Sequence, residues 1–129
     1  MAGGRCRILV VEDDETIRHL VLKMLKANGY TVLVAASGDE AERVAGQHDG
    51  PIHLLLTDVV LPGLNGREVA RRLAATRAGI SVLFLSGYTN DAIVRHGVLE
   101  PGVAFLQKPF TPTVLGRKVR EVLDSATTE

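Results

Sequence analysis

The chain has 129 residues, of which 46% are hydrophobic and 23% charged, with 15 basic and 15 acidic side chains and one cysteine. That length fits one domain with a real core, and a formal net charge of zero offers no basic surface to a nucleic acid or an anionic membrane. No apolar run nears the ~20 residues that span a bilayer, residues 1–5 carry no apolar signal region, and Cys6 alone cannot form an internal disulfide, which suits a reducing cytoplasm.

Residues 7–11 predict a first strand, short and rich in β-branched side chains. After the acidic run Glu12-Asp13-Asp14-Glu15, apolar residues recur at Ile17, Leu20, Val21, Met24 and Leu25, the spacing of one buried helix face. Asn28-Gly29 ends that helix, with Gly29 suited to the left-handed position beyond a helix terminus. Residues 30–35 predict a second strand. Ser37 can cap a second helix to about Gln47, which has only Ala41, Val44 and Ala45 to bury. Residues 52–57 predict a third strand running into Asp58, followed by the turn formers Pro62-Gly63-Leu64-Asn65-Gly66. A third helix buries Val69 and Leu73 and ends near Thr76. A fourth strand over 81–85 leads into Ser86-Gly87-Tyr88, a poorly patterned fourth helix covers about 90–96, and 103–106 form a fifth strand. The last helix turns Leu115, Val119, Val122 and Leu123 inward and frays from Ser125. This alternation predicts an α/β protein, a doubly wound five-stranded parallel sheet with five helices. Right-handed crossovers put every strand's carboxyl end on one edge.

Three strands end in chemistry at that edge, where α/β proteins keep their sites. Glu12, Asp13 and Asp58 are acids whose crowding a hard divalent cation would relieve, and Mg²⁺ takes one or two carboxylates together with waters and phosphate oxygens. Asp14 and Glu15 are read more plainly, as acids at a solvated helix N-terminus. For Asp13 with Asp58 the metal reading is preferred, because two separate strands deliver them to one edge. Lys108 follows a buried strand and is flanked by Pro109. Most lysines are simply solvated, but a cation here would pair with Asp58 at rest and with a phosphoryl oxygen after transfer. Ser86 could donate to the same oxygen or be a turn serine before Gly87, and the residues alone leave both readings open.

In order and spacing, Glu12-Asp13, Asp58, Leu61-Pro62-Gly63-Leu64-Asn65-Gly66, Ser86 and Lys108-Pro109 resemble the receiver domain of two-component response regulators, from about Arg7 to Leu123. No single motif is specific; the five together are. The resemblance implies a flavodoxin-like (βα)5 fold over 7–124, between tails 1–6 and 125–129, and a place in a phosphorelay. Asp58 would attack the phosphorus of a phosphohistidine and become an aspartyl phosphate. Mg²⁺ would be held by Asp13, Asp58 and the backbone carbonyl of Val60, with Glu12 acting through water. Lys108 and Ser86 would bind phosphoryl oxygens, and Phe105, three residues before the lysine, would switch packing with Ser86. The implied partner is a sensor histidine kinase or a histidine phosphotransfer protein. It would dock beside Arg18, His19 and Leu22, expected to be exposed on the first helix. Cytoplasmic location is expected, with no direct contact to nucleic acid or membrane. The segments Ser86-Gly87-Tyr88-Thr89 and Leu106-Gln107-Lys108-Pro109-Phe110 look like those of receivers at the C-terminus of hybrid sensor kinases; a stand-alone regulator is the other arrangement. No DNA-binding or enzymatic output domain is expected.

Val60, two residues beyond the acceptor, cannot orient a hydrolytic water, and Tyr88, two beyond Ser86, is bulky. Slow loss of the phosphate is therefore expected, and no enzyme activity beyond the chain's own phosphotransfer and slow autodephosphorylation. Phosphatases with an aspartyl nucleophile usually place a second acid where Val60 stands, so no general acid is available here. There is neither a P-loop nor a G-x-G-x-x-G turn. His19, His48, His53 and His96 share no metal-ligand spacing, and three Phe with two Tyr are too few for a base-stacking platform. A degenerate receiver acting as an unphosphorylated interaction module is the remaining alternative. The intact Asp13, Asp58, Ser86 and Lys108 weigh against it.

Overall fold

The computed structural model describes residues 6–59, 61, 65–77, 79–86, 104–107 and 110–127. Its elements are β1 (Arg7–Val11), α1 (Glu15–Ala27), β2 (Thr31–Ala35), α2 (Gly38–Gln47), β3 (Leu54–Asp58), α3 (Gly66–Thr76), β4 (Ser81–Ser86), β5 (Ala104–Gln107) and α4 (Pro112–Thr127). The strands pair in parallel in the order β2-β1-β3-β4-β5. The winding thus reverses between β1 and β3, which makes their carboxyl ends the crevice where such sheets bind ligands. The helix expected over about 90–96 lies outside the described residues.

Strict alternation along the strands builds two cores. Leu9, Val11 and Leu55 pack with Ala41, Ala45, Val69 and Leu73 of α2 and α3. Ile8, Val10, Leu54 and Leu56 pack on the other face with Val21, Met24 and Leu25 of α1 and Leu115, Val119 and Leu123 of α4. A run such as Leu54-Leu55-Leu56 is apolar at every position because both faces of a central parallel strand are covered. Each fully buried leucine contributes roughly 1.5–3 kcal/mol relative to exposure.

Helix starts follow from side-chain caps. Asp14 Oδ1 accepts the Ile17 N–H at 3.1 Å, and Asn65 Oδ1 accepts that of Glu68 at 2.9 Å. At α2 the cap is reciprocal: Ser37 Oγ accepts the Glu40 N–H at 3.1 Å, while Glu40 Oε1 accepts the Ala36 N–H at 2.7 Å. These caps turn the chain off the sheet edge within a few residues and keep the edge loops short. At the opposite end of α1, Gly29 takes φ 91°, as its place after the helix requires.

Three expectations need correction. Leu20 is half exposed rather than part of the buried stripe, which runs through Val21, Met24 and Leu25. At 100° per residue Leu20 sits on the flank of that stripe, and the sheet covers only its centre. Arg18 and Leu22 are half-buried rather than exposed, leaving His19 and Leu20 as the open positions of this stretch. The last helix does not fray at Ser125 but continues to Thr127.

Candidate functional site

Glu12, Asp13 and Asp58 converge at the carboxyl edge of β1 and β3, with one ligand oxygen from each lying within 4.8 Å of the others. Adjacent strands bring them there: Val11 is in register with Thr57, so each strand's next residue is acidic. Asp58 closes β3 opposite Leu85 and is only 6% exposed. The ladder continues past it, with the Val59 N–H donating to the Leu85 carbonyl at 2.9 Å. Thr57, wholly buried, donates its hydroxyl to the Asp58 carbonyl at 3.1 Å.

Glu12 is 1% exposed, and its N–H, its carbonyl and one carboxylate oxygen each have a hydrogen-bond partner. Its N–H donates to the Ala35 carbonyl at 3.1 Å, its carboxylate accepts the Asp14 N–H at 3.1 Å, and its carbonyl accepts Nη1 of Arg18 at 2.9 Å. Asp13, next in the chain, is exposed at the mouth of the cluster. Asp14 is the α1 cap and Glu15 lies in its first turn, as the plainer reading of those two acids expected.

Three ionised carboxylates this close repel by about 3 kcal/mol per pair at an effective dielectric of ~20. All the donors are hard oxygens, one held inside and one open to solvent, which fits a hard divalent cation such as Mg²⁺ and not a thiolate- or imidazole-preferring metal.

The start of α3 lies against the site. Gly66 begins α3, and its N–H donates to the Val59 carbonyl at 2.9 Å. A Cβ built on Gly66 would fall on the Asp58 carbonyl oxygen, 2.9 Å from its carbon and 3.2 Å from Val59 Cα. Asn65-Gly66 read in the sequence only as turn chemistry; the close approach to Asp58 could not be read there. Arg18 was missed in the same way, because its helical position predicted solvent.

On the far side of Asp58, Ser86 closes β4 in register with Gln107, the neighbour of Lys108 in the chain. The backbone of Ser86 thus comes one residue beyond the Leu85 that faces Asp58. Phe105 is half-buried, in register with Phe84, and packs against the core that holds α2 and α3. Lys108, Pro109, Val60 and Tyr88 lie outside the described residues, as do 62–64 of the loop.

The family model for the response regulator receiver domain matches residues 8–120. The chain is 36% identical over 122 residues to the sensor kinase CckA of Brucella abortus, which covers 95% of this chain and 13% of the kinase. It is 32% identical over 121 residues to the response regulator receiver protein CpdR of the same organism, covering 93% of this chain and 98% of CpdR. The crystal structure of the receiver domain from the hybrid histidine kinase CckA is similar with a TM-score of 0.75 at 35% identity, over 91% of this chain and 98% of that one. The chain spans about half or less of the length of its longer curated relatives.

Proposed function

The chain belongs to the response regulator receiver family, the phosphoacceptor module of two-component signal transduction, and on that premise we propose that Asp58 is the residue phosphorylated. The observation that carries this reading is the meeting of Glu12, Asp13 and the buried Asp58 at the switch point of the sheet. Of the three acids Asp58 is the one that lies within a strand, so its carboxylate is presented from a rigid strand end rather than a loop.

In the transfer, an Asp58 oxygen attacks the phosphorus of a phosphohistidine on a histidine kinase or a histidine phosphotransfer protein. The O–P bond forms as the P–N bond breaks, and its electron pair stays with the imidazole nitrogen. Such a reaction needs alignment and charge neutralisation more than covalent help from the protein. A bound Mg²⁺ would supply part of that neutralisation. Asp13, Asp58 and the Val60 carbonyl would hold it, with Glu12 behind them through water. Lys108 and Ser86 would accept the transferred group by donating to its oxygens. Ser86 and Phe105 would pass on the change: Phe105 is half-buried in the strand paired with the one that Ser86 ends, so a shift at Ser86 would alter its packing. Val60 would offer no group to orient water on phosphorus and Tyr88 is bulky, so slow autodephosphorylation is expected.

Among the described residues no helix is long and apolar enough to cross a membrane. A cytoplasmic setting, where histidine kinases expose their phosphohistidine, agrees with the single free Cys6.

Incubation of the protein with Mg²⁺ and acetyl phosphate tests the reading. One added phosphoryl mass is expected, lost in Asp58→Asn and in the presence of a chelator. No gain of mass in the wild-type protein would instead identify a module that works unphosphorylated.

A further inference from the structure

The bond between Arg18 and Glu12 is outside every role given above, and it lies one residue from the metal-facing Asp13. We infer that Arg18 is a positioning residue for the acidic pair: by holding the Glu12 carbonyl it sets the direction from which Asp13 meets Asp58. The inference rests on the metal-site reading of Asp13 and Asp58.

Asp13 is exposed, yet its neighbours are held on both sides. Before it, the Glu12 N–H is fixed to the Ala35 carbonyl of β2. After it, the Asp14 N–H is fixed to the Glu12 carboxylate, and the Asp14 carbonyl accepts the Arg18 N–H at 2.8 Å. These bonds leave the peptide that joins Glu12 to Asp13 free to rotate unless its own carbonyl is held. Its carbonyl is the one that Nη1 of Arg18 holds at 2.9 Å. Rotating that peptide changes ψ of Glu12 and φ of Asp13 together, and so swings the Asp13 carboxylate relative to the rigid Asp58. A charge-assisted bond from a half-buried guanidinium is strong enough to select one orientation. Arg18 thus acts on the metal site twice, from its side chain and from its backbone in the first turn of α1.

A second effect has the opposite sign. A guanidinium held on the Glu12 carbonyl, one residue from Asp13, also opposes an incoming cation, so removing it would tighten metal binding if orientation did not matter. The sign of the change in affinity therefore decides between positioning and simple charge.

The test is calorimetric titration of Mg²⁺ into the whole chain for the wild type, Arg18→Met and Arg18→Lys, well below their melting temperatures, with metal-free melts of each. Arg18→Met keeps the apolar stem and is expected to bind Mg²⁺ about tenfold more weakly, the lower end of the loss when a group supporting a metal ligand is removed. Arg18→Lys, which keeps a donor, is expected to recover part of that loss, and the metal-free melts of the two variants to match. Affinity in Arg18→Met equal to or tighter than the wild type overturns the proposal. Equal weakening in both variants, in step with lower metal-free melting, marks a merely structural role and also overturns it. Absence of Mg²⁺ binding by the wild type is a different failure, because it removes the metal reading of Asp13 and Asp58 itself.

Discussion

The Cα of Gly66 lies against the carbonyl of Asp58, so closely that a methyl group built on it would fall on that oxygen. The first residue of α3 therefore sets how closely that helix can approach the end of β3. Gly66→Ala must push α3 or the end of β3 outward, since the obstacle is backbone. We expect a loss of about 3 kcal/mol in urea unfolding and slower phosphorylation by acetyl phosphate in the fraction that folds. Wild-type stability in this variant would show that the contact is loose.

Crowded carboxylates predict that a divalent cation will stabilise the fold. Thermal melts should rise by several degrees as Mg²⁺ is added to the wild type, since a ligand at a hundred times its dissociation constant adds about 2.7 kcal/mol. The rise should be much smaller in Asp13→Asn, which removes the exposed member of the cluster. An equal rise in both proteins would place the cation elsewhere.

Arg77 closes the far end of α2. Its Nη2 donates to the carbonyls of Ala45 at 2.8 Å and His48 at 3.0 Å, and its Nη1 to that of Gly50 at 2.8 Å. The Ala45 carbonyl lies in the last turn of α2, where it also accepts the His48 N–H at 3.4 Å, and a guanidinium suits the negative end of the helix dipole. Arg77→Met should cost about 2 kcal/mol in denaturant unfolding while leaving phosphorylation of the folded protein unchanged, because the clamp is at the edge opposite Asp58. A large loss of phosphorylation would contradict that separation.

Glu68 forms hydrogen bonds with Arg71 and Arg72, which hold its carboxyl below the usual range. A carboxyl whose folded value is depressed contributes stability above its unfolded value, and that contribution disappears as pH falls through the folded one. The melting difference between wild type and Glu68→Gln should therefore be present at neutral pH, begin to shrink as pH falls past the ordinary glutamate value of about 4.3, and vanish below the depressed folded one. Added salt should shrink it as well. A difference that persisted in acid would mean that the carboxylate charge is not its source.

Phosphate lifetime should respond to residue 60. Replacing Val60 with Glu or Asn introduces a group able to orient water, and decay of the phosphorylated protein after removal of acetyl phosphate should speed up several-fold. An unchanged half-life would show that access of water, rather than its orientation, is limiting.

The periodicities in the chain carried most of the fold. The doubled apolar run through Leu54-Leu55-Leu56, the cap at Ser37 and the stop at Asn28-Gly29 each have a local cause, and each appears in the structure. Leu20 did not follow its pattern. A spacing rule identifies which residues share a helix face but not how wide a stripe the sheet will cover.

Residue type and order by themselves determined that acids, a hydroxyl and a lysine follow the strands, because strand ends are marked by where apolar runs stop. They could not show distance. Only the parallel register, Val11 beside Thr57, brings Glu12 and Asp13 to Asp58, and only the folded loops put Arg18 on the Glu12 carbonyl and Gly66 on that of Asp58. Those contacts join residues through backbone carbonyls, and a carbonyl is the same in every amino acid. Nothing in the letters of the sequence could mark which of them a side chain would reach.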